Sequence, residues 1–270
     1  MTDALRQSLR QGGNRKGWRG IGRLALVAGL LLLLVRCVPA PPVPSLLDQQ
    51  ALLQRLQGNA SAVHSLRGTT RIRSENSQGS NSARQVLLLA KPARLRAEVL
   101  SPFGQPLLLL TADAGRMSVL LPREQRFLQG DVTAQRIARF VGLPLSAEQM
   151  VRLALYDVPL IPHDETVLNR AETGYRLLLR GAEERQQLDF DAFGRLLTAT
   201  YFHRDLALLT VAYGRFDSEL GDFPRQVTVT MPGQGASFEL VYGDVEMNPE
   251  LTAERFVLQP PAGIAVEALP

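Results

Sequence analysis

Apolar and polar residues alternate in short runs from His64 to Gln129, the period-two pattern of half-buried strands. HSLRGTTRIR alternates weakly. ARLRAEVL alternates cleanly, with Leu95, Ala97 and Val99 on one face and Arg94, Arg96 and Glu98 on the other. PLLLLTAD is apolar on both faces, and GRMSVLLP alternates through Met117, Val119 and Leu121. The runs are broken by turn-forming stretches: ENSQGSNS (75–82), SPFGQP (101–106), ADAG (112–115) and PRE (122–124). A second series follows: GYRLLLRG, ERQQLDFD, LLTATYFH, LALLTVAY, PRQVTVTM, ASFELVYGDVEM and RFVLQPP. Turn signals at this regular spacing predict a continuous antiparallel meander of about eleven to twelve strands.

Three stretches change to the helical period. Ser45-Leu46-Leu47-Asp48 reads as a helix start capped by Ser45, with Leu46, Leu53 and Leu56 on one face and Gly58-Asn59 as the stop. Asp131 caps a predicted helix carrying Ile137, Phe140 and Val141. Ser146-Ala-Glu-Gln149 is a capping box opening another, with Met150, Leu153 and Ala154 at i, i+3 and i+4. Gly142-Leu143-Pro144 links the last two, so Gly142 and Pro144 are the candidate hinge. No linker-like stretch lies between residues 60 and 260, and residues 45–270 read as one domain.

Charge separates the N-terminus from the rest. The 270 residues include 30 Lys+Arg and 26 Asp+Glu, a formal charge of +4. Residues 1–36 hold seven of the basic residues and one acid, Asp3, which leaves 23 basic against 25 acidic beyond them. The folded part is therefore not a basic nucleic-acid binder. The basic residues up to Arg23 precede the uncharged run Leu24–Val35, the order of a secretory signal. As a helix that run rises about 18 Å, against a hydrocarbon core of about 30 Å. The chain's one cysteine, Cys37, comes next, then the Pro-rich VPAPPVP.

Candidate chemistry is sparse. His64, His163 and His203 are scattered and supply no metal-ligand spacing, so no metal or other cofactor is expected. His163-Asp164-Glu165 and His203-x-Asp205 read as solvated turns, and Asp189/Asp191 as outward charge on one strand face. With no G-x-S-x-G and no Gly-rich phosphate loop, an enzyme is not expected. Two short helices cannot cover eleven strands, so the sheet is expected to curl around an apolar space. Its lining would be Leu95/Val99, Leu107/Leu109, Val119/Leu121, Leu177/Leu179, Leu188/Phe190, Val227/Val229 and Phe238/Leu240.

Two resemblances sharpen this picture. The run ending at Cys37 and its Pro-rich tether resemble a bacterial lipoprotein signal, with Leu34 and Val35 fitting the pattern. Arg36 departs from it, because that family has Gly, Ala or Ser there. The resemblance implies a signal peptide at 1–36, palmitate-type acylation of Cys37 and a tether at 37–44. From Arg94 to Pro159, LRAEVLSPFGQPLLLL, GRMSVLLP, QRFLQG and IARFVGLPLSAEQMVRLALYDVP resemble the LolB family of outer-membrane lipoprotein receptors. The ending ERFVLQPPAGIAVEAL is similar to the wider group that includes the LolA carriers. That likeness implies an α+β, mostly β fold: an incomplete antiparallel barrel of about eleven strands, lidded by short helices over a hydrophobic cavity. It also implies acylated lipoproteins or lipid as cargo, a LolA-like periplasmic carrier as partner, and lipid anchoring at the periplasmic face of the outer membrane. Phe103, in Ser101-Pro-Phe-Gly104, matches the exposed apolar residue with which that family delivers cargo. ENSQGSNSARQ reads as an insertion relative to the family. The alternatives are a carrier of another envelope lipid and a structural lipoprotein whose barrel is packed shut.

Overall fold

The computed structural model describes residues 47–77 and 79–270. Cys37, the tether, the signal-like segment and the expected cap Ser45 lie outside the described residues. Helix α1 is Gln49–Ala62, with Asp48 as its cap, accepting from the Ala51 amide. It runs through Gly58-Asn59, the expected stop, because the outward side of a helix tolerates both residues at modest cost.

Six strands follow: β1 (Ser65–Asn76), β2 (Gly79–Ala90), β3 (Arg94–Leu100), β4 (Pro106–Asp113), β5 (Arg116–Leu121) and β6 (Arg126–Asp131). Helices α2 (Ala134–Val141) and α3 (Ala147–Ala154) come next. Seven more strands are β7 (Glu165–Ala171), β8 (Gly174–Arg180), β9 (Glu184–Asp191), β10 (Leu196–His203), β11 (Leu206–Asp217), β12 (Phe223–Met231) and β13 (Ala236–Met247). A short β14 (Val266–Ala268) ends the series.

All fourteen belong to one open sheet, ordered β14-β6-β5-β4-β3-β2-β1-β13-β12-β11-β10-β9-β8-β7. The architecture is mostly β and incomplete as a barrel, as expected, with three differences. The meander is two meanders, β1–β6 and β7–β13, whose first and last strands pair along the β1–β13 seam. β14 adds in parallel to β6, Val266 opposite Phe127. RFVLQPP is not a strand: Ala253–Phe256 forms a 3₁₀ turn, and Phe256 packs with Leu88 and Ala90 on the sheet's outer side.

β2 and β7 went unread in the sequence. ENSQGSNS does hold the break between two strands, as the tip of the long β1–β2 hairpin, but a narrower one than its length suggests, since the pairing runs from Ser65/Ala90 to Asn76/Gly79. Helix α2 is capped by Thr133, which accepts from Arg136 N at 3.2 Å, because Asp131 is still paired in β6. The capping box of Ser146 and Gln149 forms at α3 with both bonds made.

Curling of the sheet is helped by a bulge at the seam, where the register shifts between Gly68 and Thr70. A Cβ on Gly68 would sit 2.5 Å from the Asp244 carbonyl, so only glycine lets the two backbones approach here. One main core lies on the concave side, from Leu52 and Leu56 of α1 through Leu177, Leu188 and Val211 to Met117 and Ile137.

Candidate functional site: an apolar groove under two helices

The concave side is not filled throughout. Between the sheet and helices α2 and α3 lies a hollow of about 450 Å³, within the roughly 300–1,000 Å³ of small-molecule sites. β2 contributes Gln85, Leu87 and Leu89, β3 Leu95, Ala97 and Val99, and β4 Leu108 and Leu110. Ile72 of β1 completes this side, and across the seam come Val227 and Val229 of β12 and Phe238 and Leu240 of β13. The roof is Phe140 and Val141 of α2, Leu143 and Leu145 of the link, and Met150, Leu153 and Ala154 of α3. Among the described residues that line it, none is charged. Its polar groups gather toward the hairpin tip, as Ser74, Asn81 and Ser82.

One polar side chain lies deeper. Gln85 is 6% exposed and lies on the wall of the hollow. Directly opposite it on β1 is Thr70, 3% exposed, whose hydroxyl is buried without a partner. Unsatisfied buried polar groups are uncommon and cost about 1–3 kcal/mol each. Within an apolar groove such an amide can donate to, or accept from, a polar group on a bound molecule.

The two roof helices are held very differently. At the C-terminal end of α3 the last carbonyls have no intrahelical partner, and tyrosines of the sheet supply it. Tyr213 Oη donates to Leu153 O at 3.1 Å and Tyr242 Oη to Ala154 O at 2.6 Å. Tyr201 Oη donates to Pro159 O at 2.7 Å, and Gln186 Nε2 to the same oxygen at 3.0 Å. Tyr156 Oη reaches Leu196 O at 3.1 Å, its ring edge-on to Tyr213. Burial pushes the phenols of Tyr156, Tyr201, Tyr213 and Tyr242 above their ordinary range.

An ion cluster adds to this anchor. Buried Asp157 takes Lys91 Nζ at 2.7 Å and Arg152 Nη2 at 3.0 Å, and Lys91 also donates to Ala60 O at the end of α1. The hydrogen bond to Asp157 raises the Arg152 guanidinium above its usual range, against the opposing effect of burial. Among the described residues helix α2 has no such cluster; Arg136 Nη1 donates back to Asp131 O at 2.9 Å. The helix ends at Gly142, in the left-handed region at φ 85°, whose amide donates to Ala138 O at 2.8 Å. Leu143 and Leu145 on either side of Pro144 are buried, so the link is pinned while α2 lies across the opening.

The anticipated lining residues divide into three groups. Leu95, Val99, Val227, Val229, Phe238 and Leu240 line the hollow. Val119, Leu177, Leu179, Leu188 and Phe190 lie in the closed core, with Leu121 packed against it. Leu107 and Leu109 occupy the other face of β4, a correction of register: PLLLL is apolar at every position, so its parity is unreadable without the pairing to β3. Leu87 and Leu89 were missed with their strand. The signal was the run QVLLLA between polar ENSQGSNS and the Lys91-Pro92 break.

Phe103 stands clear of the sheet, 90% exposed. Its loop is rigidly tied: Gly104 N donates to Ser101 O at 2.9 Å, Ser101 N to Gln105 O at 2.8 Å, and Gln105 N to Ser101 Oγ at 3.1 Å. Pro102 at the second turn position fixes the backbone that presents the ring.

Among the described residues no group of three or more His, Cys, Asp and Glu could hold a metal, and no helix is long and apolar enough to cross a membrane. No family model matches the chain, and no curated protein matches it in sequence. Solved structures do resemble it. A LolA-superfamily protein from Nitrosomonas europaea is 14% identical, with a TM-score of 0.50 over 79% of this chain and 99% of that one. A DUF1329-family protein from Desulfovibrio piger is 15% identical, with a TM-score of 0.51 over 76% and 94%. The open curled sheet with helices across its hollow side is similar to the fold of these two proteins.

Proposed function

We propose that this chain is a membrane-anchored envelope lipoprotein that holds acyl chains in the groove and takes part in inserting lipoproteins into the outer membrane. The hollow of about 450 Å³, with no charged residue among its described lining, carries the reading. Each buried CH₂ is worth about 0.8 kcal/mol, so ten of them supply about 8 kcal/mol, micromolar binding. Between two such grooves the same chain moves nearly without net free-energy change, which lets a LolA-like carrier hand over its load. No bond is made or broken in this account, and no catalytic group is required.

Anchoring rests on Cys37, whose acylation would tether residues 45–270 through the Pro-rich segment as one domain. Gly142 and Pro144 would let α2 swing while α3 stays pinned by its tyrosines. Phe103 would enter the bilayer at delivery, where burying the ring gains roughly 1.5–3 kcal/mol. A second reading, cargo that is another envelope lipid, draws support from Gln85 and the Ser74/Asn81/Ser82 end of the groove, which suit an ester or hydroxyl group.

Native mass spectrometry of the chain, taken gently from the envelope fraction, tests the proposal. An added mass matching an acylated molecule is expected. A clean apo mass with no uptake of added acyl probes would move the weight to a structural lipoprotein.

A further inference from the structure

The outer face of the β1–β2 hairpin carries an uncompensated pair of cations. Arg71 and Arg84 lie directly opposite one another, a position where Cβ atoms are about 4.5–5.5 Å apart and like charges repel. Neither forms an ion pair among the described residues; Arg84 Nη2 makes a long bond to Pro102 O at 3.4 Å. Nearby carboxylates are otherwise engaged. Glu98 holds Arg96 at 2.5 Å, Glu246 pairs with Arg67, and Glu239 accepts from Gln226 and lies opposite Arg73. Glu75 is beyond Arg73 toward the hairpin tip, opposite Ser80.

These two arginines also line a second hollow of about 290 Å³, together with Ser82, Leu100, Ser101 and Leu107. It sits at the base of the loop that presents Phe103. That loop, Ser101 to Gln105, has no charged residue and exposes Pro102 and Phe103. Cations without carboxylates, a recess between them and an uncharged apolar tip beside it match the layers of a bilayer surface, phosphate outermost and hydrocarbon beneath. A soluble acidic partner would leave the exposed ring of Phe103 without a use.

We propose that Arg71 and Arg84 form a docking site for the phosphates of anionic phospholipids, and that the site orients the groove toward the membrane. The inference rests on the reading of Phe103 as a membrane tip. Its geometric support is that Ser82 and Ala83 line both hollows. Docking through the outer face of this hairpin therefore brings the polar end of the groove to the bilayer.

Flotation of the full chain with neutral phosphatidylcholine vesicles, and with vesicles carrying phosphatidylglycerol, tests the site. The N-terminal arginines and any anchor are common to every chain compared, so the readout is the ratio of anionic to neutral partitioning. Arg71→Gln/Arg84→Gln is expected to lower that ratio by about fivefold per arginine, with the loss vanishing at high salt. Arg116→Gln/Arg170→Gln, two exposed arginines elsewhere, should lower it far less. Phe103→Ser, which adds no charge, is expected to weaken binding to both vesicles and leave the ratio unchanged. A ratio equally preserved in both double-arginine variants would overturn the site. Unchanged partitioning of Phe103→Ser to either vesicle would instead overturn the tip on which it rests.

Discussion

At the scale of single residues, the telling positions are those whose local chemistry makes no sense for a closed core. Gln85 is one. Replacing its groove-facing amide with Leu should raise stability by about 1 kcal/mol, because an apolar side chain takes the place of a polar one among apolar neighbours. The same Gln85→Leu change should weaken binding of cargo that carries an ester or hydroxyl. Urea melts and a competition assay between an acyl ester and a plain hydrocarbon probe read the two effects, and a loss of stability would contradict the assignment. Ala97 gives the complementary case. Filling the hollow with Ala97→Phe should cut uptake of an acyl probe at least tenfold while leaving the core untouched, a result checked by probe fluorescence alongside the melting temperature. Phe103, fully outside the fold, should tolerate Glu with a stability change inside about 0.5 kcal/mol, so any delivery defect would be one of function.

Among the elements, the two roof helices differ in how firmly they are held. Helix α3 hangs from tyrosines, so Tyr242→Phe should cost about 1–2 kcal/mol, the bond to Ala154 O being lost and that carbonyl left buried. Asp157→Ala should cost more, about 3–5 kcal/mol, because Lys91 and Arg152 then face each other with no carboxylate between them. The four buried phenols also set an alkaline limit. Their pKa values are raised in the folded state by burial, so the neutral forms favour folding. That contribution is fully present below the unfolded tyrosine pKa of about 10 and is lost as pH rises through the raised values. Above pH 10, stability should fall by up to about 1.4 kcal/mol per pH unit for each tyrosine that ionises on unfolding, which a denaturant series at fixed pH measures.

Elements were readable in the sequence wherever one face was wet. ARLRAEVL shows its inner face because Arg94, Arg96 and Glu98 mark the outer one. QVLLLA did not, since β2 is covered on both sides: Leu87 and Leu89 face the groove, and Leu88 lies under Phe256. β4 failed for the same reason, so its facing residues were placed one register out. Both helices flanking the Gly142-Leu143-Pro144 link were legible from periodicity and, for α3, from its capping box, which is local chemistry.

For the whole molecule, the governing feature is a sheet too large for its helices. Fourteen strands curl far enough to close a core at one end, around Leu177, Leu188 and Val211, and leave a hollow at the other. Which apolar residues fall in the core and which line the hollow was hidden from the sequence, because both environments select the same side chains. Only the pairing of β1 with β13, a contact between distant parts of the chain, decides it. The central claim is that the hollow holds an acyl chain, and comparing the intact chain with its Ala97→Phe variant by native mass spectrometry tests it most directly. An acyl-sized added mass on the intact chain, absent from the variant, is the expected result. Equal lipid on both, or none on either after exposure to acyl probes, would contradict it.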